Sequence, residues 1–195
     1  SQIVVVAAHY GDALQYSKIS EMTNAFGVSS YPHARLNRTA KWNESESAVT
    51  SLYANSSKVG VLIESSIDGR TLTLKVKAKF SETYTDLKLG VFLLENDLLL
   101  DQANYGDFGY GSDNPIVNFE HDDVLRVALT SPLGDNISSE STKVGSVFEK
   151  SFTYEIPNSY DKDKMDIVAF ITDKDKMSLN ARHSEIGKTQ EFEEL

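Results

Sequence analysis

Between Thr71 and Phe80 the chain alternates without a break: Leu72, Leu74, Val76, Ala78 and Phe80 fall on one side, Thr71, Thr73, Lys75, Lys77 and Lys79 on the other. A period of two sends successive side chains to opposite faces of a pleated strand, so one face of this segment is apolar and the other cationic. A single strand cannot offset the entropy of ordering its own backbone, and this one therefore requires partners to cover its apolar side. Val59, Val61 and Ile63 alternate just upstream and are joined to it through Asp68-Gly69, a hairpin-type turn. LKLGVFLLE, Leu87 to Glu95, is apolar on both faces and is predicted to lie centrally. VLRVAL, Val124 to Leu129, keeps Arg126 on its wetter face. Phe148, Phe152, Tyr154 and Ile156 alternate with polar residues; Met165, Ile167, Ala169 and Ile171 form a further strand, followed by Met177, Leu179 and Ala181. About seven strands with almost no helix between them is the pattern of an antiparallel, immunoglobulin-like β-sandwich, assigned to residues 58–195.

The first 57 residues have a different rhythm. Ile3 to Ala8, IVVVAA, is a short apolar run that suits a strand buried on both faces. Asp12 and Gln15 are spaced as a capping box, Ile19, Met22 and Phe26 recur at helical spacing, and Gly27 stands where a left-handed C-terminal cap belongs. Pro32 then opens a second short strand, His33 to Asn37, at the one strand position where a missing amide donor is harmless. A cis Tyr31–Pro32 bond would make a tight corner there; a trans bond would leave an ordinary loop. A second helix is predicted from Asn43, with Glu46 three residues on and Ala48, Val49, Leu52 and Tyr53 as its apolar stripe. Strand, helix and proline-led strand resemble the later half of a thioredoxin fold. The fold class expected is therefore α+β, a partial thioredoxin-like unit at 1–57 followed by the sandwich. A central strand without a complete sheet around it would either pair with another copy, giving a homodimer, or be propped on the sandwich.

Charge supports a boundary near Asn43. The net charge is −10, yet the segment up to Asn43 holds four cations, Lys18, Arg35, Arg38 and Lys41, against two acids, Asp12 and Glu21. The acidic remainder disfavours nucleic acid or an anionic membrane surface as a partner. There is no cysteine, which removes thiol chemistry and cysteine-bound zinc from these residues. No apolar run reaches the length of a membrane helix, and the absence of an initiator methionine makes Ser1 read as the start of a processed or trimmed chain.

Candidates for chemistry are few. His9, His33, His121 and His183 are scattered, with no pair at metal-ligand spacing, and no nucleophile elbow or glycine-rich phosphate loop occurs. No catalytic residue is assigned and no cofactor is expected. DKDKM occurs at Asp161 to Met165 and again at Asp173 to Met177; the lysines neutralise the acids, so both read as solvated turns. The long connection from Leu100 to Asp123 is the most unusual segment. It sets Tyr105, Phe108 and Tyr110 among Gly106, Gly109 and Gly111, a composition suited to recognising a protein, peptide or glycan, or to packing its own rings over one end of the sandwich. Its acids Asp107, Asp113, Asp122 and Asp123 are weak calcium candidates; otherwise no metal site is expected.

Several ordered pieces carry a family resemblance: VVVAAHYGD at Val4 to Asp12, FGVSSYPHARLNR at Phe26 to Arg38, LLEND at Leu93 to Asp97 with Gln102 following, HDDVLR at His121 to Arg126, VAFITD at Val168 to Asp173, and LNA at Leu179 to Ala181. Together they resemble the twenty-eight-kilodalton outer-membrane-protein family of Bacteroides-type bacteria. The resemblance implies lipoproteins with a thioredoxin-like half and a β-sandwich half, an envelope location, and attachment to the membrane through a lipid anchor on the precursor. It carries no catalytic residue onto this chain. Pro32, with Tyr31 before it, is what remains of a thioredoxin-like substrate groove. The function expected is that of a non-enzymatic extracytoplasmic binding or scaffold protein. The alternative is an accessory domain of a thiol-disulfide oxidoreductase whose Cys-x-x-C lies upstream of Ser1.

Overall fold

The structure is a computed structural model that describes residues 3–54, 56–106 and 109–195. In chain order its elements are α1 (Ile19–Phe26), β1 (Arg35–Leu36), β2 (Ala40–Lys41), α2 (Glu46–Thr50), β3 (Val59–Asp68), β4 (Thr71–Phe80), β5 (Lys88–Glu95), β6 (Leu98–Gln102), β7 (Ile116–His121), β8 (Val124–Ala128), β9 (Asp135–Asn136), β10 (Val147–Glu155), β11 (Met165–Thr172) and β12 (Ser178–Glu185). The chain is β-rich. A three-stranded sheet, β10-β4-β3, faces a second sheet ordered β12-β11-β5-β8, in which β9 also pairs with β5. Every ladder pairing between these strands is antiparallel.

The alternating segment forms as the sequence dictates. Leu72, Leu74, Val76 and Ala78 are fully buried between the sheets, opposite Leu89, Val91 and Leu93 of β5 and Ile167, Ala169 and Ile171 of β11. The β3–β4 hairpin closes with Asp68 paired to Thr71 and Gly69 at positive φ, where a glycine carries no Cβ penalty. Arg70, beside it, donates to the carbonyls of Ile156, Pro157 and Tyr160 and ties that turn to the end of β10.

β5 and β11 are apolar on both faces because both faces are covered. Phe92 and Leu94 of β5, Val168 and Phe170 of β11 and Leu125 of β8 point away from the inter-sheet core, where Tyr16 and Ile19 bury against them. The amino-terminal segment thus lies on the outer face of the second sheet. Gly90 is part of this contact: a Cβ there would sit 2.0 Å from the ring of Phe170. Phe170 is edge-on to Phe92, with centroids 4.9 Å apart, and carries the Arg38 guanidinium at 4.5 Å. Arg38 also lies over Phe26 at 5.1 Å, and burial lowers its pKa to about 10.

Four local expectations are corrected. Ile3 to Ala8 is no central strand: only Ala7 bridges to β8, in parallel, donating to Asp123 O and accepting from Leu125 N at 2.8 Å each, while Ile3 and Val5 are exposed. The run is laid against a sheet edge, so one of its sides faces water. The Asp12–Gln15 box does not form: the Asp12 carboxylate accepts from Leu14 N rather than Gln15 N, and the Gln15 carboxamide from Gly11 N rather than Asp12 N, so the two close a single turn instead. Burial of Tyr16 intervenes before α1 begins at Ile19; Gly27 caps its end at φ 61° as predicted. The strand expected at His33 to Asn37 shrinks to Arg35–Leu36, because Asn37 and Arg38 turn at positive φ to carry Arg38 onto Phe170. Helix α2 starts after Ser45 rather than Asn43, whose carboxamide instead accepts from Ser45 N. The Tyr31–Pro32 bond is cis.

Arg126 is also less wet than expected. Its Nε lies 3.2 Å from Glu95, which is 2 % exposed, and its guanidinium covers Tyr160. Glu95 accepts in addition from Asp161 N at 2.7 Å, so this buried carboxylate joins β5, β8 and the loop before β11. Both DKDKM repeats are turns in which the first aspartate accepts the amide two residues on.

Gly90→Ala, which forces a methyl into the Phe170 ring, is expected to cost about 1–3 kcal/mol. A urea titration measures it, and faster amide exchange over residues 16–26 shows that the lost packing is that of the amino-terminal segment.

Candidate binding surface

The connection between Leu100 and Asp123, expected as one long loop, is in large part a hairpin arm. β6 and β7 pair as a separate two-stranded sheet, with a register shift between Leu100 and Gln102. The period-two signal is weak there because only part of one face is covered: Leu99 and Val117 are exposed, whereas His121 is buried. The described residues of 103–106 and 109–115 form the tip.

Asn104 organises that tip. Its carboxamide Nδ2 donates to the carbonyls of Gly111 and Asp113 at 3.0 and 2.9 Å, its Oδ1 accepts from Gly106 N at 2.9 Å, and its own amide donates to Asn114 Oδ1 at 3.0 Å. With the loop backbone held this way, Tyr105 and Tyr110 stand 75 % and 57 % exposed. Tyr110 is not isolated. It meets Phe119 edge-on at 5.4 Å, Phe119 meets His121 at 4.9 Å, and His121 meets His9 at 4.9 Å. His121 Nε2 donates to Leu100 O, and His9 Nδ1 lies 2.7 Å from Asp12 Oδ2, so both imidazoles are oriented by a second partner.

The next residue after His9 is Tyr10, which stacks on Tyr31 at 5.0 Å with both rings exposed, beside Pro32. The Tyr31–Pro32 patch and Tyr110 of the loop are therefore joined through the chain neighbours His9 and Tyr10, whose rings meet His121 and Tyr31 respectively. Phe108 and Asp107 lie outside the described residues. His9, Tyr10, Phe119 and His121 were missed as site residues, since no local spacing relates His9 to a histidine more than a hundred residues away.

Among the described residues, the calcium candidates Asp113, Asp122 and Asp123 do not converge. Asp113 gives its carbonyl to Asn104, Asp122 accepts from Asp97 N, and the Asp123 amide donates to Asn96 Oδ1. Of the described candidates only Asp122 joins a group of three carboxylates, with Asp97 and Glu120, and all three are exposed. Burial raises the Asp123 pKa, His183 opposes that shift, and Asp122 and Asp166 add to it.

The sequence matches the family described as Outer membrane protein Omp28 over residues 19–190. The chain belongs to this family. It is accordingly a cell-envelope protein associated with the outer membrane. Among solved structures, its fold is similar to that of HBP35 of Porphyromonas gingivalis, with a TM-score of 0.70 and 14 % identity over 93 % of this chain and 62 % of that one. The Omp28-family chain thus spans less than two thirds of HBP35. A domain of the outer membrane lipoprotein Omp28 from Porphyromonas gingivalis aligns with a TM-score of 0.46 and 19 % identity, over 68 % of this chain and 91 % of that one. Among curated proteins, none matches the sequence. No helix among the described residues is long and apolar enough to cross a membrane.

A carboxyl group whose pKa is raised by folding weakens stability as pH rises from its unfolded value through its folded one. Asp123→Asn removes that charge and tolerates the residue's positive φ of 55°. The variant is expected to be more stable than the natural chain at pH 7, with the advantage fading as pH falls toward about 4 and absent below it; thermal melts across that range measure it.

Proposed function

We propose that this Omp28-family chain is a non-enzymatic binding or scaffold protein of the cell envelope, recognising a protein, peptide or glycan through the aromatic surface of its hairpin arm. The observation that carries this reading is the exposure of Tyr105 and Tyr110 on a tip held together by the hydrogen bonds of Asn104, with Tyr110 backed by Phe119, which in turn meets His121. Exposed rings on an ordered support give contact area at small entropic cost, the arrangement that makes tyrosine effective in recognition loops. The same reading takes residues 58–195 as an immunoglobulin-like domain, supported by the sheet orders β10-β4-β3 and β12-β11-β5-β8. It takes residues 1–57 as a partial thioredoxin-like unit, and membrane attachment as a lipid on the precursor.

A second reading attaches to Tyr31, whose exposed ring stacks on Tyr10 next to Pro32. There the chain would complete a peptide groove for a thiol-disulfide exchange centre supplied by an upstream Cys-x-x-C. A disulfide-reductase assay on a longer natural form tests it, and activity abolished by removing upstream cysteines is the result it requires.

Screening against immobilised envelope glycans and unfolded peptides tests the first reading. Saturable binding is expected, and Tyr105→Ala with Tyr110→Ala should weaken it by about 2 kcal/mol or more while leaving the melting temperature of the chain in place. Binding untouched by the double substitution would move the site away from the arm.

A further inference from the structure

A sheet edge presents unpaired amides and carbonyls, and proteins cover such edges or make them unattractive. Of the four outer edges of the two facing sheets, three receive hydrogen bonds from other segments of the chain. β3 is closed by the carboxy-terminal segment, where Ser65 N donates to Lys188 O and Gln190 N to Ile63 O, and by side chains of β12, where Asn180 and Arg182 donate to the carbonyls of Val59 and Val61. The neighbouring β12 edge is met by the same segment through Gln190, which donates to His183 O. β8 is closed by Ala7.

The fourth edge, β10, is different. Its ladder runs unbroken from Val147 to Glu155 against β4, and on the other side its backbone has no hydrogen-bond partner among the described residues. The strand has no proline and no register shift. Its inward aromatics, Phe148, Phe152 and Tyr154, are only half-buried, whereas the residues opposite them on β4, Ala78, Leu74 and Leu72, are completely buried. The inter-sheet core therefore runs out at this edge with apolar surface still uncovered.

We propose that β10 pairs with β10 of a second copy of this chain, antiparallel about a two-fold axis through Ser151, joining two three-stranded sheets into one of six strands. The sequence of β10 is self-complementary in that register. Phe148 faces the partner's Tyr154, Lys150 faces the partner's Phe152, Glu149 faces the partner's Thr153, and Val147 faces the partner's Glu155; no like charges are opposed. Aromatic pairs and a cation over a ring are favourable cross-strand neighbours. Parallel pairing in register would set Glu149 against Glu149 and Glu155 against Glu155. An unrelated extended peptide would gain the backbone bonds but not this side-chain match. Because each copy carries a net charge of −10, the association is opposed by overall repulsion and should tighten as salt screens it.

Ser151 is exposed on the solvent face, so charged residues there leave the core intact. Sedimentation of the full chain over a range of concentrations and salt is expected to show a doubling of mass. Ser151→Lys alone and Ser151→Glu alone each place like charges across the axis and should shift the equilibrium several-fold toward monomer, while an equimolar mixture of the two should restore the dimer. A chain that stays monomeric at every concentration and salt, or a dimer indifferent to both substitutions, would overturn the proposal. Circular dichroism of each variant verifies that it is folded.

Discussion

The ring of Phe170 lying over Gly90 is the contact on which the arrangement of the amino-terminal segment depends. With any side chain at position 90 the ring would be displaced, and with it the Arg38 guanidinium that it shares with Phe26. Through that stack a stretch with little regular structure of its own acquires a fixed place on the second sheet. Tyr16 and Ile19 complete the cover over Phe92, Leu94 and Leu125. The cationic character of the first forty residues, which reads in the sequence as a boundary, is here partly spent on holding the two parts together.

That placement has consequences for the surface. Once Ala7 is hydrogen-bonded to β8, His9 is delivered to His121 and Tyr10 to Tyr31. Ring contacts then extend from His9 through His121 and Phe119 into the hairpin arm and end at Tyr110, on the tip that Asn104 holds. The arm itself emerges from the edge of the second sheet, between β5 and β8, where Asn96 and Asp97 turn the chain out and Asp122 and Asp123 turn it back. The fold likeness to HBP35 extends over 93 % of this chain.

Edges and faces are treated by separate means. The solvent face of the three-stranded sheet is a lattice of Lys75 and Lys77 with Glu64 and Glu149, exposed enough to be screened and contributing little to stability. The buried pair of Glu95 and Arg126 is a different matter, since either partner left alone would be an uncompensated charge inside the protein. β10 carries Glu149 of that lattice and pairs Lys150 with Asp135, but its outer backbone has no hydrogen-bond partner among the described residues and its aromatics are only half-buried, which leaves it the least finished part of the sandwich within one chain.

The sequence alone determined the strands whose side chains alternate or are apolar throughout. β3, β4, β5, β10 and β11 could be read from it, as could the Asp68-Gly69 turn and the cap at Gly27, because each depends on neighbours within a few residues. The ordered motifs were also enough to indicate the family. What the tertiary structure decided was everything resting on partners distant in the chain. Ile3 to Ala8 has the composition of a central strand, yet it has only one edge to lie on; Arg126 looks like a surface residue, yet its partner Glu95 is buried. The β6–β7 arm hid within a loop because exposure removes the alternation that marks a strand, and the rings of His9 and His121 meet only because two sheet edges bring them there. Local pattern encodes which face of an element is apolar, whereas the identity of what covers that face is a property of the assembled chain.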